Sequence, residues 1–242
     1  MTAEQPATED HAPLIGKRFL YSVTAVAITL AALTSLISLA GQWYGGSLAL
    51  AGHTENTDIN DIIIGQDHLR LASNTIRFAD QRATGATERV DLYATWPEMQ
   101  GYSDATRHSF NDINRSDALI FMQISQSTMS RDMSGRVDPI YKHLFEGAPS
   151  PGPSGLVKHH MRETSGYGHE TLLTADRGQD TPYAVRCLLP QTPDGATSAD
   201  CQRDIHIGTD LVVLYRFSSQ LLPQWQAIDK AVIKFINERL AP

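Results

Sequence analysis

LVVLYRFSSQLLPQWQAIDKAVIKFIN, residues 211–237, decides the fold class. Leu211–Phe217 is dominated by β-branched, aliphatic and aromatic residues and reads as a strand. Ser218-Ser219 follows as an N-cap, and Pro223 falls in the first turn, where its missing N–H costs nothing. Leu222, Trp225, Ile228, Val232, Phe235 and Ile236 then recur at helical spacing, leaving Gln224, Asp229, Lys230 and Glu238 for a solvated side. A strand that runs into an amphipathic helix predicts a sheet with a helix laid against it.

Upstream, Thr171–Ala175, Tyr183–Leu189 and Asp204–Ile207 are strand-like, and Gly208-Thr209-Asp210 is placed to join the last of them to Leu211–Phe217 as a hairpin. Asp61–Gly65 and His68–Ala72 form two short β-type runs around a Gly-Gln-Asp turn. From Arg89 to Trp96, Val90, Leu92 and Ala94 alternate with Arg89, Asp91 and Tyr93, which predicts a strand with one wet face. Leu119–Ile124 is apolar on both faces, as a central strand would be. Between Ser125 and Gly168 the pattern breaks up. Asp138-Pro139 is placed to start a short helix through Phe145, and Ala148–Gly155, rich in Pro and Gly, is expected to be a loop or hinge.

Near the other end, Phe19–Ala40 contains no charged residue. As a helix it spans roughly 33 Å at about 1.5 Å per residue, the thickness of a bilayer core. Thr24, Thr29, Ser35 and Ser38 can bond back to helix carbonyls, and Tyr21, Trp43 and Tyr44 lie where amphipathic rings favour the interface. Lys17 and Arg18 abut the segment, and the next basic residue is Arg70. The positive-inside rule then puts the N-terminus in the cytoplasm and the bulk of the chain in the periplasm, with the helix in the inner membrane of a bacterium. A cleaved signal peptide remains the alternative, since Ser38-Leu39-Ala40 and Ala49-Leu50-Ala51 carry small residues where a peptidase needs them. The expected organisation is a disordered leader over 1–18, a transmembrane signal-anchor over 19–41, a linker over 42–60 and an exported domain over 61–242. The fold class expected is α+β: one transmembrane helix, a mainly antiparallel β domain and a C-terminal amphipathic helix.

The 242 residues are 41% hydrophobic and carry a net charge of −7. That composition supports a real core and excludes a disordered acidic tail or a disulfide-dense mini-protein. It also argues against nucleic acid as a partner, because no basic excess is available to displace counterions. Cys187 and Cys201 are the only cysteines, and in an oxidising compartment they predict a disulfide closing a Pro-, Thr- and Gly-rich loop.

Candidate chemistry is sparse. His159, His160 and His169, with Glu170 beside the last, are the most metal-like group, but adjacent histidines diverge on either a strand or a helix, and the spacing matches no zinc motif. Gly101-Tyr-Ser103-Asp-Ala105, with His108 nearby, distantly resembles a nucleophile elbow, although a turn or helix cap accounts for it as well. Trp96, Tyr102, Phe110 and Tyr141 are candidates for an aromatic recognition surface. No phosphate-cradling loop or dinucleotide fingerprint occurs, so no cofactor is expected. Two function classes follow. The first is a membrane-anchored binding, scaffold or accessory protein, whose partner is another envelope or inner-membrane protein. The alternative is a membrane-tethered periplasmic hydrolase using Ser103 or the His cluster.

Overall fold

The computed structural model describes residues 17–49, 52–178 and 181–241, and the chain divides into two compact units, one ending at Ala51 and one running from Gly52 to Pro242. The first unit is helix α1, Lys17–Ala49. Its apolar side chains are exposed, Phe19 at 64% and Ile37 at 71%. The hydroxyls of Thr29 and Ser35 donate to Ala25 O and Ala31 O at 2.9 Å, removing their polarity from the helix surface. The stretch Tyr21–Ser38 is long and apolar enough to cross a membrane, a description that an anchor and a signal sequence both meet. The helix continues past Gly41, where the expected span ends. The leader through Gly16 and the side chains of Trp43 and Tyr44 lie outside the described residues.

The second unit is the α+β domain that the strand-to-helix stretch predicts. Strands β1 (Ile59–Ile64) and β2 (Asp67–Ala72) form an antiparallel hairpin, and β3 (Gly85–Ala86) adds to β1 in parallel. The remaining strands are β4 (Arg89–Thr95), β5 (Leu119–Gln126), β6 (Phe145–Pro151), β7 (Val157–Met161), β8 (Thr171–Ala175), β9 (Tyr183–Cys187), β10 (Cys201–Ile207) and β11 (Leu211–Phe217). They build one antiparallel sheet in the order β4-β5-β11-β10-β9-β8-β7-β6. A one-turn helix, α2 (Arg107–Asn111), precedes β5. After β11 the Ser218 hydroxyl caps a 3-10 turn over Ser219–Gln224, which leads into helix α3, Trp225–Asn237.

Alternation along each strand gives the large sheet two unlike faces. On the inner face Ile120, Met122, Ile124, Val213, Tyr215 and Phe217 are buried beneath α3 and the β1–β2 hairpin, and Ile62, Leu69, Val232 and Ile236 fill the space between. Two hairpin ends lock together above this core. The carboxylate of Asp67 accepts the N–H groups of Thr209 and Asp210 at 2.9–3.0 Å, and Asp210 accepts from Gln66 N. Gly65 and Gly208, both at positive φ, make the approach possible: a Cβ on Gly208 would lie 2.5 Å from Asp67 Oδ1, and one on Gly65 would lie 2.6 Å from Asp210 Oδ2.

Three expectations are corrected. Asp138-Pro139 does not begin an α-helix; residues up to Ile140 form turns, and a 3-10 turn covers Tyr141–Leu144. Residues 148–151 are not loop but the end of β6, an edge strand whose register shifts between Glu146 and Ser150. Pro149 and Pro151 are tolerated there because an edge strand leaves one row of N–H positions unpaired. Asp229, expected on the wet side of α3, is 6% exposed.

Asp229 is buried because the sheet splits. β9 and β10 pair only at Cys187/Cys201 and Arg186/Gln202. The Cys187–Cys201 disulfide sits at that junction and closes the loop between the strands. Beyond it the strands diverge, and Met133 N donates to Asp204 O where a ladder partner would have been. Arg203, 1% exposed, fills the gap. It donates to Ala184 O on β9 at 2.9 Å, to Ser134 Oγ at 2.8 Å and to Asp229 Oδ1 at 2.9 Å, with its guanidinium 4.6 Å from the Tyr183 ring. Tyr215 and Arg177 donate to the same carboxylate at 2.8 and 3.2 Å. Burial alone would favour a neutral Arg203, but the Asp229 carboxylate holds its proton more firmly than usual.

Candidate functional site

The outer face of the large sheet is only partly covered. Strand register places its side chains in rows that cross the strands. One row runs Tyr93, Phe121, Arg216, Gln202, Arg186; the next runs Asp91, Gln123, Leu214, Asp204; a third runs Arg89, Ser125, Val212, His206. Of these, Tyr93 and Asp204 are buried, Arg89, Arg216 and His206 are exposed, and the rest are half-buried.

Each side of this face has a wall. At the β4 side, Tyr93 is covered by Tyr102, Phe110 and His53. The His53 ring stacks on Tyr102 at 4.6 Å, and its Nδ1 lies 3.0 Å from the Tyr93 hydroxyl. Burial, reinforced by Arg82, lowers the His53 pKa below its ordinary 6.5, so the neutral ring is the form that fits. At the β9 side, a second apolar cluster of Met133, Val137, Tyr141, Met161, Leu172 and Ala184 packs against the sheet. Arg186 lies 4.6 Å from the Tyr167 ring and pairs with Glu170 at 2.9 Å, and Arg136 pairs closely with Asp204.

Against the β9-side wall lies a cleft of about 390 Å³, with Gln123, Ser125, Val212 and Leu214 on its floor and Arg136, Tyr141 and Tyr167 at its side. The floor is built from strand positions, so its side chains are held rigidly. Its chemistry is amphipathic: aliphatic patches, amide and hydroxyl groups, and charge pairs at the rim. An arrangement of this kind suits recognition of an extended surface.

Of the sequence-derived candidates Tyr141 lines this cleft, whereas the candidate catalytic and metal-ligating residues do not. Ser103 caps the turn before α2: its N–H donates to Thr106 Oγ1 at 2.9 Å, and the two hydroxyls are 3.0 Å apart. His108 is exposed on α2, and no bond joins it to Ser103 among the described residues. On β7, His159 stacks on Phe145 at 4.3 Å and bonds Thr174 Oγ1 at 2.9 Å, and its pKa is lowered by burial. His160 points to the opposite side of the strand, and His169 is exposed in the turn before β8. No group of three or more His, Cys, Asp or Glu is placed to hold a metal ion among the described residues. The aromatic set also divides: Tyr102 and Phe110 form the β4-side wall, Tyr141 is buried in the β9-side cluster, and Trp96 donates to Gln224 Oε1 at 3.0 Å. The aromatic rings the outer face does present, Phe121 and Tyr167, were not singled out by the sequence. The only signal for Phe121 is its outward phase in an otherwise apolar strand.

No family model and no curated protein matches this sequence. Among solved structures, the chain is similar to an immunity protein of the Stenotrophomonas maltophilia type IV secretion system, at 16% identity and a TM-score of 0.55, over 79% of this chain and 96% of that one. It is also similar to the iron-regulated outer membrane lipoprotein FrpD of Neisseria meningitidis, at 14% identity and a TM-score of 0.42, over 76% and 93% of the two chains. At these identities the first likeness is one of fold.

Proposed function

We propose that the protein is a non-catalytic binding protein of the bacterial envelope, held in the inner membrane by α1, with its β domain in the periplasm and the outer sheet face seated on another protein. One observation carries the reading: apart from the buried Asp204, three in-register rows of side chains remain at least partly accessible across β5, β11 and β10, between two built walls. A sheet face that is neither buried in the domain nor uniformly polar is what a partner surface covers. The shared fold with a protein described as an immunity protein of a secretion system supports an envelope-associated accessory role. The Lys17-Arg18 pair supports the orientation, and the disulfide suits an oxidising compartment.

The test is recovery of the tagged full-length protein in mild detergent, followed by native mass measurement. The expected result is one envelope protein bound at fixed stoichiometry. A lone monomer or a homo-oligomer would contradict the reading, and turnover of a substrate that depends on Ser103 or His159 would replace it with the hydrolase.

A further inference from the structure

Most of the arginines on the outer face have carboxylate partners: Arg89 lies 3.1 Å from Asp91, Arg186 lies 2.9 Å from Glu170, and Arg136 pairs with Asp204. Two do not. Among the described residues neither Arg77 nor Arg216 forms an ion pair, and both are exposed. They flank one ring. The Arg77 guanidinium lies 5.0 Å from the centre of Phe121 and equally close to Phe78, and Arg216 is the cross-strand register partner of Phe121. Arg77 is also fixed at its backbone, where its N–H donates to Asp91 O at 2.8 Å.

We infer that this strip receives an acidic segment of the partner protein, with a carboxylate held between Arg77 and Arg216 and an apolar side chain laid on Phe121. The inference rests on the protein-binding role proposed above. Its ground is charge complementarity. The chain carries −7 overall, yet here two cations stand without counter-charge beside a half-buried ring. A guanidinium held against a ring keeps its N–H fork oriented and loses little freedom on meeting a carboxylate. The adjoining ring excludes water and strengthens the charge-assisted bonds. A polyanion such as nucleic acid or an anionic lipid surface fits less well, because the chain's net charge repels it and the strip offers it two cations.

The experiment places the photoreactive residue p-benzoylphenylalanine at His206, which lines the cleft on the same outer face two rows from the strip, with a control at Glu146 on the far edge strand. The full-length protein is cross-linked in the membranes of its native host, and the attached segment is sequenced. The expected adduct is a protein segment rich in Asp or Glu, formed from His206 and not from Glu146. Its yield should fall about tenfold or more in the Arg77→Glu/Arg216→Glu double variant. Arg216→Gln, which keeps a polar side chain at an exposed site, should lower the yield by a smaller factor with an unchanged unfolding midpoint, so the result does not depend on a charge reversal being tolerated. An adduct whose yield ignores these variants, whose segment lacks acidic residues, or whose attached molecule is lipid or nucleic acid would overturn the acidic-segment inference. The first two of these outcomes would leave the protein-binding role standing. No adduct from His206 would overturn both.

Discussion

On one side of β11 stand Leu211, Val213, Tyr215 and Phe217, all buried; on the other stand Val212, Leu214 and Arg216, half-buried or exposed. The same contrast holds for β5, with Ile120, Met122 and Ile124 facing the core and Phe121, Gln123 and Ser125 facing outward. Alternation in a strand serves both faces at once, so one sequence is read twice. The inner reading is almost uniformly apolar and is completed within the domain by α3 and the β1–β2 hairpin. The outer reading mixes charge, amide and ring, and among the described residues nothing completes it between the two walls. Arg203 is the exception that clarifies the rule. It is a cation on the inner face, buried because the strands separate there, and every donor contact it makes is internal.

The largest effects should follow from breaking the inner face at that exception. Asp229→Ala leaves Arg203 buried without its carboxylate and is expected to cost about 3–5 kcal/mol in urea unfolding. Arg203→Met combined with Asp229→Leu removes both charges and should cost less than the single Asp229 change. A loss in the double variant equal to the sum of the Arg203→Met and Asp229→Leu single losses would mean that the pair is not coupled across the split. Next in size is the disulfide at the head of the split. Its sequence separation is 14, and reduction should cost about 3 kcal/mol by the chain-entropy estimate for a loop of about 15 residues.

Acid sharpens the comparison on the outer side. His53 has a folded-state pKa below 6.5, chiefly through burial, so as pH falls below 6.5 the unfolded chain binds a proton that the folded wall resists, and stability is lost. Asp67 acts in the same direction at lower pH. Burial raises its pKa, but the N–H groups of Asp210 and Thr209 outweigh that and hold it below 3.8, so its contribution is kept above 3.8 and lost beneath it. Unfolding midpoints should therefore decline from pH 7 to 5, and His53→Gln should flatten part of that slope. A profile that does not change on His53→Gln would show that the β4-side wall tolerates the imidazolium. The smallest effect on stability belongs to the open rows: Arg216→Glu should change the unfolding free energy by no more than about 0.5 kcal/mol.

The parts of the fold that the sequence made legible are those where turn residues and alternation agree. Thr171–Ala175 and Leu211–Phe217 coincide with β8 and β11, and the six apolar positions from Leu222 to Ile236 are the face that α3 and its preceding turn bury. β6 was hidden because two prolines read as loop, and only its edge position admits them. Asp229 was hidden because a carboxylate on an amphipathic helix ordinarily faces water. The signal that would have found it is Arg203: in the series Cys201, Arg203, Ile205, Ile207 it stands in the inward phase and requires a buried acid opposite. A strand begun at Asp204 leaves that series incomplete. The outer face was illegible for a different reason. Its rows join residues from strands far apart in sequence, such as Phe121 and Arg216, and no spacing along the chain encodes that register.

The division of labour between the two faces is tested most directly by filling the cleft without disturbing the core. Ser125→Trp places an indole on the cleft floor, where Ser125 is half-buried and opposite Val212. In mild-detergent recovery of the tagged full-length variant, the account predicts that the co-purified partner falls by at least about tenfold while the unfolding midpoint stays near that of the unsubstituted protein. Partner recovery at the original stoichiometry, with the cleft filled and the fold intact, would contradict it.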